Sequence, residues 1–286
     1  MKYAILSMDV EEWYHLDYFN NDKCNRNYSM LDGIDVFREV LSSYSIKGNF
    51  FVVGELAKTN RHLIYELIRE NHDVGYHSWN HTRPLNMSIS SYYNELNKSK
   101  SDFENIIGKS IIGYRAPCFS IDRERLNIIK DVGFRYDSSR ISFREHALYG
   151  TVNMDGFEKL SPNIYKLDNF FEFQVSTYNF LGRNIPVSGG GYLRILPWRV
   201  MKLLIKQYLR ENELYVMYIH PFELSRKNNP VFPVSTKWYN QIRFSSGRDN
   251  TVAKLILLIN LLIEENYSIV TFSNLINIVS NKRTLL

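Results

Sequence analysis

At 286 residues and 44% hydrophobic content, the chain can bury one large core, and a barrel of this length needs no second domain. Its net charge of +5 (pI about 9.0) is dispersed, with no run of five or more Lys/Arg, which argues against nucleic acid or a polybasic membrane patch as partner. Two cysteines make no disulfide framework, and no stretch reaches the ~20 apolar residues of a membrane span.

In chain order, residues 3–8 read as a first strand and 35–41 as a helix. Residues 48–53 form a second strand, followed by a helix over 62–70 that Asn71 stops. Residues 74–76 are a third strand, and 90–107 a long helix ending at Gly108, a residue suited to the position after a helix. A strand over 111–114, a helix over 123–131 closed by Gly133 and a short strand over 134–136 follow. Such alternation predicts parallel βαβ units. The stretch 142–194 breaks the pattern and is expected to be an irregular β-rich insertion shaping one side of a cleft, with β-like runs at 164–167 and 170–177. Alternation then returns: a helix over 198–210, a strand over 214–219, a helix over 251–265, a strand over 268–271 and a last helix. No repeat or linker divides the chain, so residues 1–286 are expected to form one catalytic domain.

Polar residues cluster at the strand ends, where parallel α/β folds build their sites. Asp9 and Glu11, two apart on a strand, share one face. Burying both carboxylates is costly without a cation. His77 and His81 follow the third strand four residues apart, a spacing that lets two imidazoles meet one ion if the segment forms a helical turn. Two imidazoles and a carboxylate suit zinc, cobalt, nickel or iron better than calcium, and leave open positions for water. His72 precedes its strand and reads as a surface residue. Arg115, at the next strand end, can pair bidentately with a carboxylate, and Pro117 fixes the turn after it. His220, ending the strand over 214–219, can be a general acid or a satisfied core histidine. Ser188-Gly189-Gly190-Gly191-Tyr192-Leu193-Arg194 permits close backbone approach to a ligand but lacks a dinucleotide-binding pattern. Twenty tyrosines suit a carbohydrate groove as readily as a core.

Taken in order, these segments resemble the polysaccharide deacetylases of carbohydrate esterase family 4, the NodB-homology proteins. Asp9-Val10-Glu11-Glu12-Trp13 is similar to the D-V-E variant of the first motif, His77-Ser78-Trp79-Asn80-His81 to H-[ST]-x-x-H, Arg115-Ala116-Pro117-Cys118-Phe119 to R-x-P-x-[FY], and His220 with its strand to the last motif. The resemblance implies a distorted (β/α) barrel of about seven parallel strands. It implies that Glu11, His77 and His81 hold one divalent metal, zinc foremost, with cobalt, nickel or iron as alternatives. Asp9 would take a proton from the attacking water, Arg115 would orient Asp9, and His220 would protonate the leaving amine. The oxyanion would lean on the metal and a backbone N–H near Phe119. Trp13, Pro117, Phe119, Gly190, Tyr192 and Arg194 are the expected substrate contacts.

Two departures matter. Val10 stands where the commoner first motif has its ligand carboxylate, so Glu11 or Glu12 could serve. The usual Asp-Trp partner of the acid histidine is not evident. Residues 170–194 resemble instead the E-x-x-x-S-T…G-G-G-Y-x-R stretch of the D-V-E branch, which often accompanies surface-polysaccharide or lipopolysaccharide biosynthesis. The expected reaction is removal of an N-acetyl group from an amino sugar; the substrate is an N-acetylated sugar, a nucleotide sugar or a lipid-linked glycan. The alternatives are another C–N hydrolase on this scaffold, such as a deformylase or cyclic-amide hydrolase, and a non-catalytic glycan-binding protein. With the strand pattern beginning almost at Met1 and no apolar leader, the cytoplasm is the expected compartment.

Overall fold

The structure, a computed structural model, describes residues 1–19, 23–142 and 149–281. Its centre is β1 (Lys2–Val10), buried along nearly its whole length. Strands β2 (Asn49–Val52), β3 (Asp73–Tyr76), β4 (Gly113–Tyr114), β5 (Tyr136–Asp137) and β8 (Phe170–Phe173) succeed one another on one side, and β11 (Leu214–Ile219) lies on the other. These seven strands are all parallel, and β12 (Tyr267–Ile269) adds to the lower end of β1. The sheet curls on itself. Ser176, just past β8, donates its N–H to the Val216 carbonyl at 3.2 Å and accepts the Val216 N–H on its hydroxyl, and Gly189 bridges Tyr218. The result is the distorted barrel that the resemblance implies.

Helices α1 (Asp32–Ser43), α3 (Arg61–Arg69), α4 (Ile89–Ile107), α5 (Arg123–Asp131), α7 (Trp198–Glu211) and α10 (Thr251–Glu264) connect the strands. Short α2 (Gly54–Thr59), α6 (Gly190–Ile195), α8 (Pro221–Leu224) and α9 (Trp238–Ser245) sit near the upper ends, and α11 (Phe272–Asn281) closes the described chain. Gly108 ends α4 with φ +67°, as its position predicts. No helix among the described residues is long and apolar enough to cross a membrane.

The period-2 alternation of β1 decides where the site lies. Ala4, Leu6 and Met8 face the helices. Tyr3 and Ile5 point into the barrel, where they join Phe51, Tyr136, Phe171, Phe173 and Val216, with Phe272, Leu275 and Ile276 of α11 filling the same cluster. The next inward positions, Ser7 and Asp9, are polar and still buried. The barrel interior is therefore apolar below and ionic at the C-terminal end of β1.

The stretch over 142–194 is not an insertion apart from the barrel. Residues 143–148 lie outside the described residues. Of the remainder, β8 is a barrel strand, and β7 (Ile164–Leu167) and β6 (Glu158–Ser161) extend the same sheet in antiparallel sense. Only β9 (Thr177–Phe180) and β10 (Arg183–Pro186) form a separate hairpin. Inward-facing aromatic side chains, Phe171 and Phe173, give β8 its barrel position.

Candidate active site

Asp9 and Glu11 lie at and just beyond the end of β1, and a tight backbone contact, Glu11 N–H to Asp9 O at 3.0 Å, carries the chain out of the strand. Glu11 is 2% exposed. Glu12 turns the other way and accepts the Met30 N–H at 3.0 Å, serving the wall and not the cleft.

His77 and His81 meet Glu11 by a different route from the expected helical turn. Ser78 and His81 both adopt left-handed φ of +60°, so the chain kinks twice between the imidazoles. Such backbone is costly for non-glycine residues and persists where surrounding contacts enforce it. Here Ser78 O and Trp79 O accept the Gly54 and Glu55 N–H groups of α2 at 2.8 and 2.7 Å. His77 Nδ1 donates to Arg115 O at 2.7 Å, which presents Nε2 with its lone pair to the cleft. Burial pushes the His77 imidazole down to about 4 despite the facing Asp9 and Glu11 carboxylates, so it is neutral, as a ligand must be. His15, which the sequence did not single out, stacks on His81 with ring centroids 5.8 Å apart and bonds Glu55 at 2.9 Å.

One donor atom from each of Glu11, His77 and His81 lies within 4.8 Å of the others. Glu11 has imidazoles, and no guanidinium, for neighbours: burial opposes its charge, yet His81, His220 and His77 hold the carboxyl well below the usual range. His81 Nε2 approaches Glu11 Oε2 to 2.5 Å, but that buried oxygen takes no aligned hydrogen bond. Two donors pressed together with no hydrogen aimed between them are what a shared cation would satisfy, so the residues fit a divalent metal.

Arg115 is fully buried beneath Asp9. The contact is not bidentate: one nitrogen, Nη1, reaches Asp9 Oδ1 and Ser7 Oγ at 2.8 Å each, while Nε and Nη2 go to Ser138 O and Oγ at 2.9 Å. Its guanidinium stacks 4.2 Å from the Phe51 ring centroid. Asp9 Oδ2 is thereby left to the cleft. The Asp137-Ser138-Ser139 turn that holds Arg115 was missed in the sequence. Ser139 donates to Asp137 and accepts the Ala116 N–H at 2.7 Å, tying the turn to the arginine's own strand end.

His220 has its partner. Its Nδ1 lies 3.1 Å from Glu223 Oε2, which also accepts the His220 N–H at 3.0 Å, and its Nε2 points at Glu11 Oε1, 3.5 Å away. Burial opposes a charged His220, but the Glu223 bond and the Glu11 charge outweigh it and push the imidazole up to about 9. A cation at Glu11 would oppose that rise. Arg194 Nε meets Glu223 Oε1 at 3.2 Å, and its other nitrogens donate to the carbonyls of Arg243, Phe244 and Ser246. The glycine run explains itself here: a Cβ on Gly190 would fall 2.1 Å from Glu223 Oε2.

Several expected substrate contacts are therefore structural. Trp13 is wholly buried, packed on Phe19, with its indole N–H on Tyr28 O at 2.7 Å. Gly190 makes room for Glu223, and Arg194 is spent on that carboxylate and on carbonyls. Pro117 is buried at the head of a turn in which Cys118 and Phe119 both have φ +54°. Phe119 packs on Tyr218, and its N–H donates to Ala116 O at 3.0 Å, so that amide belongs to the turn. Of the six, Tyr192 alone keeps substantial exposure, 36%. His72 is buried, not at the surface; its Nδ1 accepts the Gly48 N–H at 3.0 Å.

Residues 32–136 match the family model described as Polysaccharide deacetylase. Over that stretch the chain is similar to the polysaccharide deacetylases. Residues 138–273 match a second model, described as a domain of unknown function, DUF3473. Among curated relatives, an uncharacterized 30.6 kDa protein of Geobacillus stearothermophilus is 30% identical over 34% of this chain and 37% of its own. A peptidoglycan-N-acetylglucosamine deacetylase of Bacillus cereus is 25% identical over 34% of this chain and 45% of its own. The chain thus spans less than half of either relative. A solved Mycobacterium smegmatis structure assigned to the polysaccharide deacetylases superposes with a TM-score of 0.63 at 14% identity, covering 99% of this chain and 92% of that one. That likeness shows the fold.

Proposed function

We propose that this protein hydrolyses the N-acetyl group of an amino sugar, releasing acetate and a free amine, in the assembly of a surface glycan or lipopolysaccharide. The observation that carries the reading is the convergence of three units on one buried spot: the Glu11–His77–His81 donors, the Asp9–Arg115 pair and the His220–Glu223–Arg194 chain. Glu11, His77 and His81 would hold a divalent cation, zinc foremost by the chemistry of its donors. When bound, that cation supplies Lewis acidity at the amide carbonyl and lowers the pKa of water to about 7.

Every other step belongs to the chain's side chains. Arg115 fixes Asp9 through Oδ1, so Oδ2 is the atom that receives the proton of the attacking water. The water oxygen bonds the acetyl carbon, and the C–N bond breaks. His220, held through Nδ1 by Glu223, gives the proton on Nε2 to the departing nitrogen. With Asp9 as base and the His220 Nε2 acid 3.5 Å from Glu11 Oε1 as separate groups, one proton is taken and another given without rearrangement. The substrate class that suits this chemistry is an N-acetylated sugar, free, nucleotide-linked or lipid-linked. We propose the cytoplasm as its compartment, a reading supported by two unbridged cysteines. The test is acetate release from N-acetylglucosamine oligosaccharides and nucleotide sugars by chelator-stripped and zinc- or cobalt-reconstituted protein. Release restored by metal supports the proposal; release of formate alone from N-formyl substrates, or full rate without metal, overturns it.

A further inference from the structure

Residues 224–248 carry five basic residues, Arg226, Lys227, Lys237, Arg243 and Arg248, and no acidic one. The same segment carries the largest group of exposed apolar side chains close in sequence. Val231 is 88% exposed, Val234 fully, Trp238 71% and Ile242 54%, with Tyr239 beside them. Trp238 and Ile242 stand one turn apart on α9, and Tyr239 flanks them, so the helix turns an apolar stripe outwards. The segment is nonetheless fixed from beneath. Phe244 stacks on Phe222, Phe232 stacks on Phe19, and Asn240 donates to Tyr18 O at 3.1 Å. Arg194, which holds Glu223, also binds the Arg243 carbonyl at 2.7 Å. The stripe is thus rigidly mounted on the wall of the active site.

Two of the five cations are spent. Arg226 pairs with Glu39, and Arg248 is buried among carbonyls. Lys227 donates to Ser29 O at 2.7 Å but stays exposed, as do Lys237 and Arg243 around the stripe. Arg243 lies over the Tyr18 ring at 5.2 Å with no acidic partner among the described residues.

We propose that this face docks on an anionic lipid bilayer, with Trp238, Ile242 and Val234 entering the interface and Lys227, Lys237 and Arg243 meeting the headgroups. Aromatic side chains at the boundary, aliphatic ones below and cations above are the composition of an interfacial surface. A sugar platform fits less well, since valine and isoleucine offer no hydrogen bond. A symmetric second copy fits less well too, because it would set Lys237 and Arg243 against themselves. The cations are scattered through 25 residues, which is why no basic run is visible in the sequence. Docking does not depend on the deacetylase reading; with it, the site would open beside the membrane, where a lipid-linked glycan is carried.

The test is co-sedimentation of the full chain with vesicles of phosphatidylcholine, with and without phosphatidylglycerol. The protein should bind the anionic vesicles, less so at high salt, with a blue shift of tryptophan emission that Trp238→Phe removes. The combined variant Val234→Ser, Trp238→Ser and Ile242→Ser should lose about tenfold or more in vesicle affinity while keeping its circular dichroism. It should also keep the parental acetate release from a soluble substrate, so failure of docking and failure of the proposed activity read out separately. A parent that stays in the supernatant overturns the proposal. So does a variant that binds vesicles unchanged, one that loses affinity for soluble glycan instead, or a parent whose only response is self-association abolished in the variant.

Discussion

Glu223→Gln removes one charge from a carboxylate that is 1% exposed and lies between His220 and Arg194. Stripping one partner from a buried ion pair typically costs about 3–5 kcal/mol. Arg194 keeps three backbone carbonyls, Arg243, Phe244 and Ser246, so about 2 kcal/mol of stability is the expected loss. The effect on the reaction should be larger. In the parent, Glu223 and Glu11 overcome burial and push His220 up to about 9; without Glu223, burial acts on the imidazole less opposed and its proton is lost at lower pH. General-acid catalysis contributes about 10²–10⁴-fold, so kcat at neutral pH should fall about a hundredfold or more, with the basic limb of the profile displaced to lower pH. Cation content should be unchanged, because Glu223 is not among the donor atoms. The assay is kcat against pH beside metal analysis and urea unfolding. Parental kcat with an unmoved basic limb would refute the His220–Glu223 relay, however stable the variant.

Two further outcomes follow from the same geometry. Asp9→Asn keeps the oxygen that Arg115 binds but cannot accept a proton, so kcat should fall about 10²–10⁴-fold with cation content unchanged; a metal-free variant would make Asp9 a ligand. His72, buried and held neutral, has its pKa pushed by burial down to about 4 from 6.5, so its contribution is present above pH 6.5 and lost as pH falls towards 4. At about 1.4 kcal/mol per pKa unit the contribution is on the order of 3–4 kcal/mol. His72→Gln should flatten that part of the stability curve between pH 7 and 4 in urea titrations, and an unchanged slope would contradict the assignment.

The barrel was legible where hydrophobic period was regular. The strand of 214–219 and the helix of 123–131 fall where expected because long periodic segments leave little choice. The donor triad was legible because its residues sit at strand ends, and strand alternation alone separates Glu11 from Glu12. What failed was anything set by side chains distant in sequence. Three glycines read as room for a ligand to approach the backbone, yet they open α6 against a carboxylate 33 residues on. Glu223 carried a local signal, three residues after His220 at a Pro-started helix, in a capping arrangement that closes onto the histidine's own N–H. Trp13, beside Asp9 and Glu11 in sequence, turns into a satellite core with Phe19, Phe222 and Phe244, because the chain leaves β1 there. The H-x-x-x-H spacing was right for convergence and wrong about the backbone, since two left-handed residues replace the helical turn.

The central claim is that Glu11, His77 and His81 hold a divalent cation while Glu12, its neighbour in sequence, does not. Calorimetric titration of zinc into stripped parent, Glu11→Ala and Glu12→Ala protein tests it directly, with elemental analysis after dialysis as the count. The parent and Glu12→Ala should each take up one equivalent, and Glu11→Ala should lose tight binding while remaining folded, since Glu11 supplies one of the three donor atoms within 4.8 Å. One equivalent retained by Glu11→Ala, or none bound by the parent, would contradict the account.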